Sequence, residues 1–307
     1  MSLYSKDVSS GARKMVIILV LLGAFFMIAV QPFMVAPALD KIQLQQFERI
    51  EKFYATNNPN APLIEHTPAM VGFFFAQWTM LSFFAGIVLL IIIRKLYEGQ
   101  QWAKAVALTC LSMPAIGAAY MLVPWMNFVS AMPDAGVPPA IFIMAAGLVP
   151  YFAILLAGKG SAKEKLIIFV VFTMLGVAAG YTFGNGHASH RILLGHPMLP
   201  RYAEDIFVLN YARTAGWIAV IGFIMSIYLL AMRIEAGWWI ALSSSAVTAV
   251  VGLLTHYFRH ATVDYMLQGL AGVFLVVVLL LPLTKEVLLG AGKAGNKAQV
   301  SKAGVEV

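Results

Sequence analysis

Eight long apolar stretches constrain the fold of this chain more than any other feature of its sequence. Each has the length and composition of a membrane-spanning α-helix, which needs about 20 mostly apolar residues. Only 11% of the 307 residues are charged, whereas a soluble domain has about 25%. The predicted fold is all-α, a single polytopic transmembrane domain (1–285) of about eight helices. The stretches are residues 15–36, 69–93, 103–126, 138–157, 165–183, 211–232, 237–256 and 264–283.

Glycine and proline mark some of the predicted helix ends and irregularities. Gly184 and Gly186 are predicted to end the fifth span, because glycine often terminates a helix. Pro114, Pro124 and Pro150 lie inside apolar stretches and predict kinked helices. The single cysteine of the chain excludes an intramolecular disulfide framework.

The distribution of basic residues predicts the orientation. With eight spans both termini lie on one side, and that side carries 14 of the 21 Lys and Arg residues. Short positively charged loops stay in the cytoplasm, so both termini are predicted to be cytoplasmic. The formal net charge of +7 is thereby explained by topology, and we expect no nucleic-acid partner.

Two larger loops are predicted on the outer face, at residues 37–66 and 184–210, and residues 286–307 are predicted to form a flexible cytoplasmic tail. Within the first loop, residues 39–54 have apolar side chains at nearly helical spacing. They predict an amphipathic helix that lies on the membrane surface or packs on the outer loops of the protein itself. The apolar content of the second loop predicts a folded cap.

All six histidines fall on the predicted outer side, and they are His66, His187, His190, His196, His256 and His260. Imidazole is the commonest metal ligand in proteins. His256 and His260 are four residues apart and would share one face of a continuous helix. Asp264 either extends that face or caps the eighth helix after a turn near Arg259. The alternative is that these histidines simply occupy the membrane–water interface, where one edge of the ring is wet.

Two histidines with a carboxylate suit Zn, Cu or non-haem Fe, and histidines from two helices suit haem. Arg259 would then bind an anionic group such as a haem propionate. The site predicted from sequence therefore consists of Arg259 and Asp264 together with the six histidines.

The spans themselves have no Asp, Glu, Lys, Arg or His near their centres, which disfavours a proton pump. Small and hydroxyl residues form stripes that predict close helix packing. The stripes are Ser245, Thr248, Gly252 and His256 in the seventh span, Gln268, Gly269 and Gly272 in the eighth, and Gly176 and Gly180 in the fifth.

The leading functional hypothesis is a membrane subunit of an electron-transfer or oxidative enzyme complex, in a bacterial or archaeal cytoplasmic membrane. Its partners would be the lipid bilayer and other membrane subunits. The alternatives are a permease for a small solute and a structural subunit that docks a partner on the outer face. A polar cavity across the membrane would favour the permease, and converging histidines would favour the metal or haem site.

Overall fold

The structure, a computed structural model, describes residues 10–158, 160–195, 204–260 and 262–290. The predicted ligand His196 and residues 291–307 of the predicted tail lie outside these ranges. The described part of the chain is helical and contains no β-strand. Its elements are α1 (Ser10–Phe25), a π-helical segment (Phe26–Val30), α2 (Gln31–Ala55), α3 (Ala61–Glu65), α4 (Thr67–Tyr97), α5 (Gln101–Phe128), α6 (Pro139–Leu156), α7 (Ala162–Leu194), α8 (Glu204–Ala231), α9 (Glu235–Arg259), α10 (Asp264–Leu280) and α11 (Pro282–Leu289).

Within the described ranges, seven helices are long and apolar enough to cross a membrane, and an eighth span exists if α10 and α11 are counted together. The bend between α10 and α11 is 78°. It falls at Leu281, whose backbone is extended, because a residue that precedes proline disfavours the helical conformation. The all-helical fold predicted from the sequence is confirmed for the described residues, and several of its helices are long and apolar enough to span a membrane. The sides of the membrane on which the termini and loops lie stay a prediction.

The predicted loop 37–66 is mostly helix. Residues Gly11–Ala55 form one helix of 45 residues, roughly 70 Å at about 1.5 Å per residue, interrupted only by the π-helical segment. Its second half packs on α4 and α5 through buried side chains that include Val35 and Ile42. Phe47, by contrast, is 54% exposed. The amphipathic stretch is therefore a continuation of the first span.

The prediction that Gly184 and Gly186 end the helix of the fifth span is wrong. Helix α7 begins with a capping box between Ser161 and Glu164 and continues to Leu194. Gly186 is required for packing, since a Cβ atom there would lie 2.8 Å from the indole ring of Trp217. The first part of the predicted loop 184–210 is thus helix as well.

Helices α9 and α10 pack closely through their glycines. A Cβ on Gly252 would lie 2.6 Å from the backbone nitrogen of Gly269, and a Cβ on Gly272 would overlap the backbone of Ala249. The predicted packing role of these stripes is confirmed. In α7, Gly176 does not mark a close helix contact, because a Cβ there would meet nothing within 4 Å.

Buried hydrogen bonds join α7 to α9 and α10. They are Thr182 Oγ1 to Thr248 Oγ1 at 3.3 Å, Asn185 Nδ2 to Gln268 Oε1 at 2.7 Å, and Ser189 Oγ to the Tyr265 hydroxyl at 2.8 Å. These bonds fix the half of α7 that forms the wall of the cavity described next.

Candidate ligand cavity at the histidine end

Most of the predicted site residues lie at one end of the bundle, here called the histidine end, where α4 begins and α7 and α9 finish. The described histidines there are His66, His187, His190, His256 and His260. The same end holds a cavity with a volume of about 610 Å³. Helices α2, α4, α5, α6, α7, α9 and α10 contribute to its walls.

Much of the cavity wall is apolar and is formed by residues such as Val71, Val123, Met144 and Val177, of which Val123 and Val177 are exposed. The cavity uses the first turns of α4, the last third of α5 and the second half of α7. It therefore occupies the half of the bundle nearest the histidine end. Such a shape fits a ligand with an apolar body.

Three buried side chains of the cavity wall carry polar atoms without a hydrogen-bond partner in the described structure. They are the Tyr120 hydroxyl, His187 Nε2 and both amide atoms of Gln46. The residues are 3%, 7% and 2% exposed, respectively. The rings of Tyr120 and His187 meet edge to face, with centroids 5.2 Å apart, and both contact Phe74. Buried polar groups are normally paired, and these atoms lack such a partner among the described residues.

Arg191 adds a positive charge to the same wall. Its Nη1 lies 3.5 Å from the Thr67 hydroxyl, its Nε has no partner, and it forms no ion pair with any described residue. Arg191 is half-buried, and the burial of a cation without an anion is costly. Arg259 and Asp264 also line the cavity, so the cations outnumber the acids among the described lining residues.

The structure separates two of the predicted histidine ligands. His187 lies on the cavity wall, whereas the ring of His190, three residues later, packs against Trp217 with centroids 5.3 Å apart. His66 is exposed at the junction of α3 and α4.

His256 and His260 lie close together, with ring centroids 6.0 Å apart. His256 Nδ1 is 3.1 Å from the Thr262 carbonyl oxygen. The helix does not continue toward Asp264, because His260 caps α9 in the left-handed conformation with φ of 48°. Of the two alternatives for Asp264, the turn is confirmed, although its side chain makes no capping bond and it stands in the first turn of α10.

No group of three or more His, Cys, Asp or Glu side chains among the described residues is arranged to hold a metal ion. The metal or haem site, of which His196 would be one ligand, stays a prediction.

Sequence reasoning missed Arg191, Tyr120 and Gln46 as candidate site residues. A signal for Arg191 existed: Gly180, Gly184, His187 and Arg191 follow one another at spacings of four, three and four, which place them on one face of a helix. The signal was hidden because the helix was predicted to stop at Gly184. Comparisons of this chain with models of known protein families, with curated proteins and with solved structures find no match.

Proposed function

We propose that this protein binds an amphipathic anion, a molecule with an apolar body and a negatively charged group, in the cavity at the histidine end. The observation that carries the proposal is Arg191, a cation without an ion-pair partner among the described residues, on the wall of a mostly apolar cavity. An anionic group beside Arg191 would compensate its charge. The apolar body of the ligand would occupy the apolar part of the cavity.

The position of the cavity along α7 agrees with this chemistry. Lys163 and Lys165 lie in the first turn of α7, so a hydrocarbon layer that begins after them and spans about 20 residues ends near Asn185. Arg191 is six residues farther along the helix, roughly 9 Å at 1.5 Å per residue. The apolar walls then lie at the depth of lipid chains and the cation lies at the depth of headgroups, which is the order of polarity within an amphiphile in a bilayer leaflet.

Filling the cavity tests the proposal. Gly184 lines the cavity and has no atom within 4 Å of an added Cβ, and Gly176, on the same helix, is equally open but does not line it. In nanodiscs of zwitterionic lipid, we expect laurate and dodecyl phosphate to bind the unmodified protein and the Gly176→Phe control. The Gly184→Phe variant should lose most of this binding.

Equal binding by Gly184→Phe and the control would contradict the proposed cavity. If Gly184→Phe does not fold, as judged by gel filtration, Gly180→Leu serves in its place. Gly180 also lines the cavity, and its added Cβ would meet only Ala119 at 3.4 Å.

A second candidate function is the electron-transfer subunit with bound haem. The specific observation in its favour is His187, whose Nε2 lacks a partner in a cavity that also presents Arg191 and Arg259. Haem is itself an apolar ring with carboxylates, so both functions require the arginines. Purified protein with a haem absorption band that His187→Ala abolishes would select this function, and protein without iron or a visible band would reject it.

The predicted pair His256 and His260 has its own test. If these rings bind Zn or Cu, the double variant His256→Ala, His260→Ala should lose metal found in the purified protein by elemental analysis. Unchanged metal content in a folded double variant would remove the pair from the site.

A further inference from the structure

A smaller pocket adjoins the large cavity at the histidine end. Its volume is about 290 Å³, and it shares Gln46, Thr67, Asn127, Phe128 and Arg191 with the large cavity. The two spaces are therefore parts of one site. The smaller part is the more polar of the two, since two guanidinium groups and two side-chain amides reach its wall.

The second guanidinium belongs to Arg49 of helix α2. Its Cζ lies 5.3 Å from the ring centroid of Phe53 and 5.6 Å from that of Phe128. These cation–π contacts hold the guanidinium at the pocket. Arg49 forms no ion pair with the described residues, and no Asp or Glu lines the smaller pocket.

We infer that the smaller pocket binds the phosphate monoester headgroup of a lipid-like molecule whose apolar chain occupies the large cavity. This inference rests on the proposed function and assigns the chemical class of the ligand. Two arginines without acidic neighbours match a phosphate monoester, which carries about −1.5 to −2 charges at pH 7.

The donors at the pocket also match this headgroup. The guanidinium groups of Arg49 and Arg191 bind phosphate oxygens in a bidentate manner. The Thr67 hydroxyl and the Gln46 amide, both buried, supply further donors. A carboxylate has one charge and two oxygens and would use fewer of these groups.

Four probes separate the parts of the inference: dodecyl phosphate, laurate, dodecanol and inorganic phosphate. They are titrated against the full chain in zwitterionic nanodiscs, together with Arg49→Gln, Arg191→Gln and the control Lys52→Gln. Lys52 is an exposed cation three residues after Arg49 on the same helix and lines neither pocket. It therefore controls for the loss of one positive charge.

We expect dodecyl phosphate to bind the unmodified protein and Lys52→Gln about tenfold more tightly than laurate, and dodecanol more weakly than either. Each arginine variant should weaken dodecyl phosphate binding about ten- to hundredfold, the size expected for a lost hydrogen bond to a charged group. Laurate should lose less than dodecyl phosphate in Arg49→Gln.

Two results would overturn the inference. Equal affinities for laurate and dodecyl phosphate, both unaffected by Arg49→Gln, would contradict the assignment of a phosphate headgroup. The proposed cavity would then be tested separately by the Gly184→Phe variant. Inorganic phosphate that binds as tightly as dodecyl phosphate would show that the site takes the free ion and that the apolar chain contributes nothing.

Discussion

At the scale of single residues, the buried polar groups of this protein divide into two kinds. Asn185 and Ser189 are paired with Gln268 and Tyr265 and hold helices together. Tyr120, His187 and Gln46 carry unpaired atoms and line the cavity. The second kind is costly in a ligand-free protein. Gln31, Lys104 and Tyr151 are also buried with unpaired atoms, and nothing in the structure explains them.

Removal of the Tyr120 hydroxyl should therefore have the opposite effect on stability from the loss of a paired group. In delipidated protein, we expect Tyr120→Phe to leave the thermal midpoint unchanged or to raise it, because the variant buries no unpaired oxygen. Gln268→Leu should lower the thermal midpoint, because it leaves the buried Asn185 amide without a hydrogen-bond partner. The expected loss of unfolding free energy is about 1–3 kcal/mol.

Circular dichroism melts in a mild detergent measure both variants. A lower midpoint for Tyr120→Phe would mean that the hydroxyl has a partner in the ligand-free protein. It would then no longer support a polar contact to a ligand.

At the scale of helices, close approach depends on where glycine lies on the contact face. Gly272 of α10 meets the backbone of Ala249, whereas Gly176 of α7 meets no atom within 4 Å of an added Cβ. Both are interior residues of long helices. Because their local conformations are alike, the two positions differ mainly in packing.

Alanine substitutions at these two positions should therefore change stability in opposite directions. Replacement of an interior helical glycine by alanine favours the helix by about 1 kcal/mol, so Gly176→Ala should raise the thermal midpoint slightly. Gly272→Ala gains the same helix propensity but forces α9 and α10 apart, and overpacking costs about 1–3 kcal/mol. A midpoint for Gly272→Ala as high as that for Gly176→Ala would show that the contact between α9 and α10 is looser than described.

At the scale of the whole molecule, the sequence predicts an all-helical chain and the positions of the long apolar helices, but not where the helices end. Length and apolarity identify the spans because the hydrocarbon layer sets both. Length and apolarity do not reveal that α2 and α7 continue beyond the hydrocarbon layer, since a helix in water or against protein need not be apolar. The cavity at the histidine end was hidden for that reason: Arg49 and Arg191 were assigned to loops, although both stand on helices. The histidines point to the end of the bundle that holds the cavity, but His187 is the only described histidine that lines it.

The orientation of the bundle in the membrane determines which leaflet the cavity faces. Basic residues are concentrated at the end opposite the histidines, at Arg94, Lys95, Lys163 and Lys165, and short basic loops remain in the cytoplasm. We therefore expect the cavity to face the outer leaflet. Lys163 and Asn60 are both exposed and lie at opposite ends of the described bundle.

In a Cys110→Ala background, Asn60→Cys should react with a membrane-impermeant maleimide in intact cells, whereas Lys163→Cys should react only after the cells are permeabilised. The native cysteine is replaced first because it would add a second reactive thiol. The reverse pattern would mean that the bundle has the opposite orientation in the membrane. The proposed amphipathic anion would then enter the same cavity from the inner leaflet. Labelling of both positions in intact cells would mean that the two ends share one side, and the arrangement of spans would have to be redrawn.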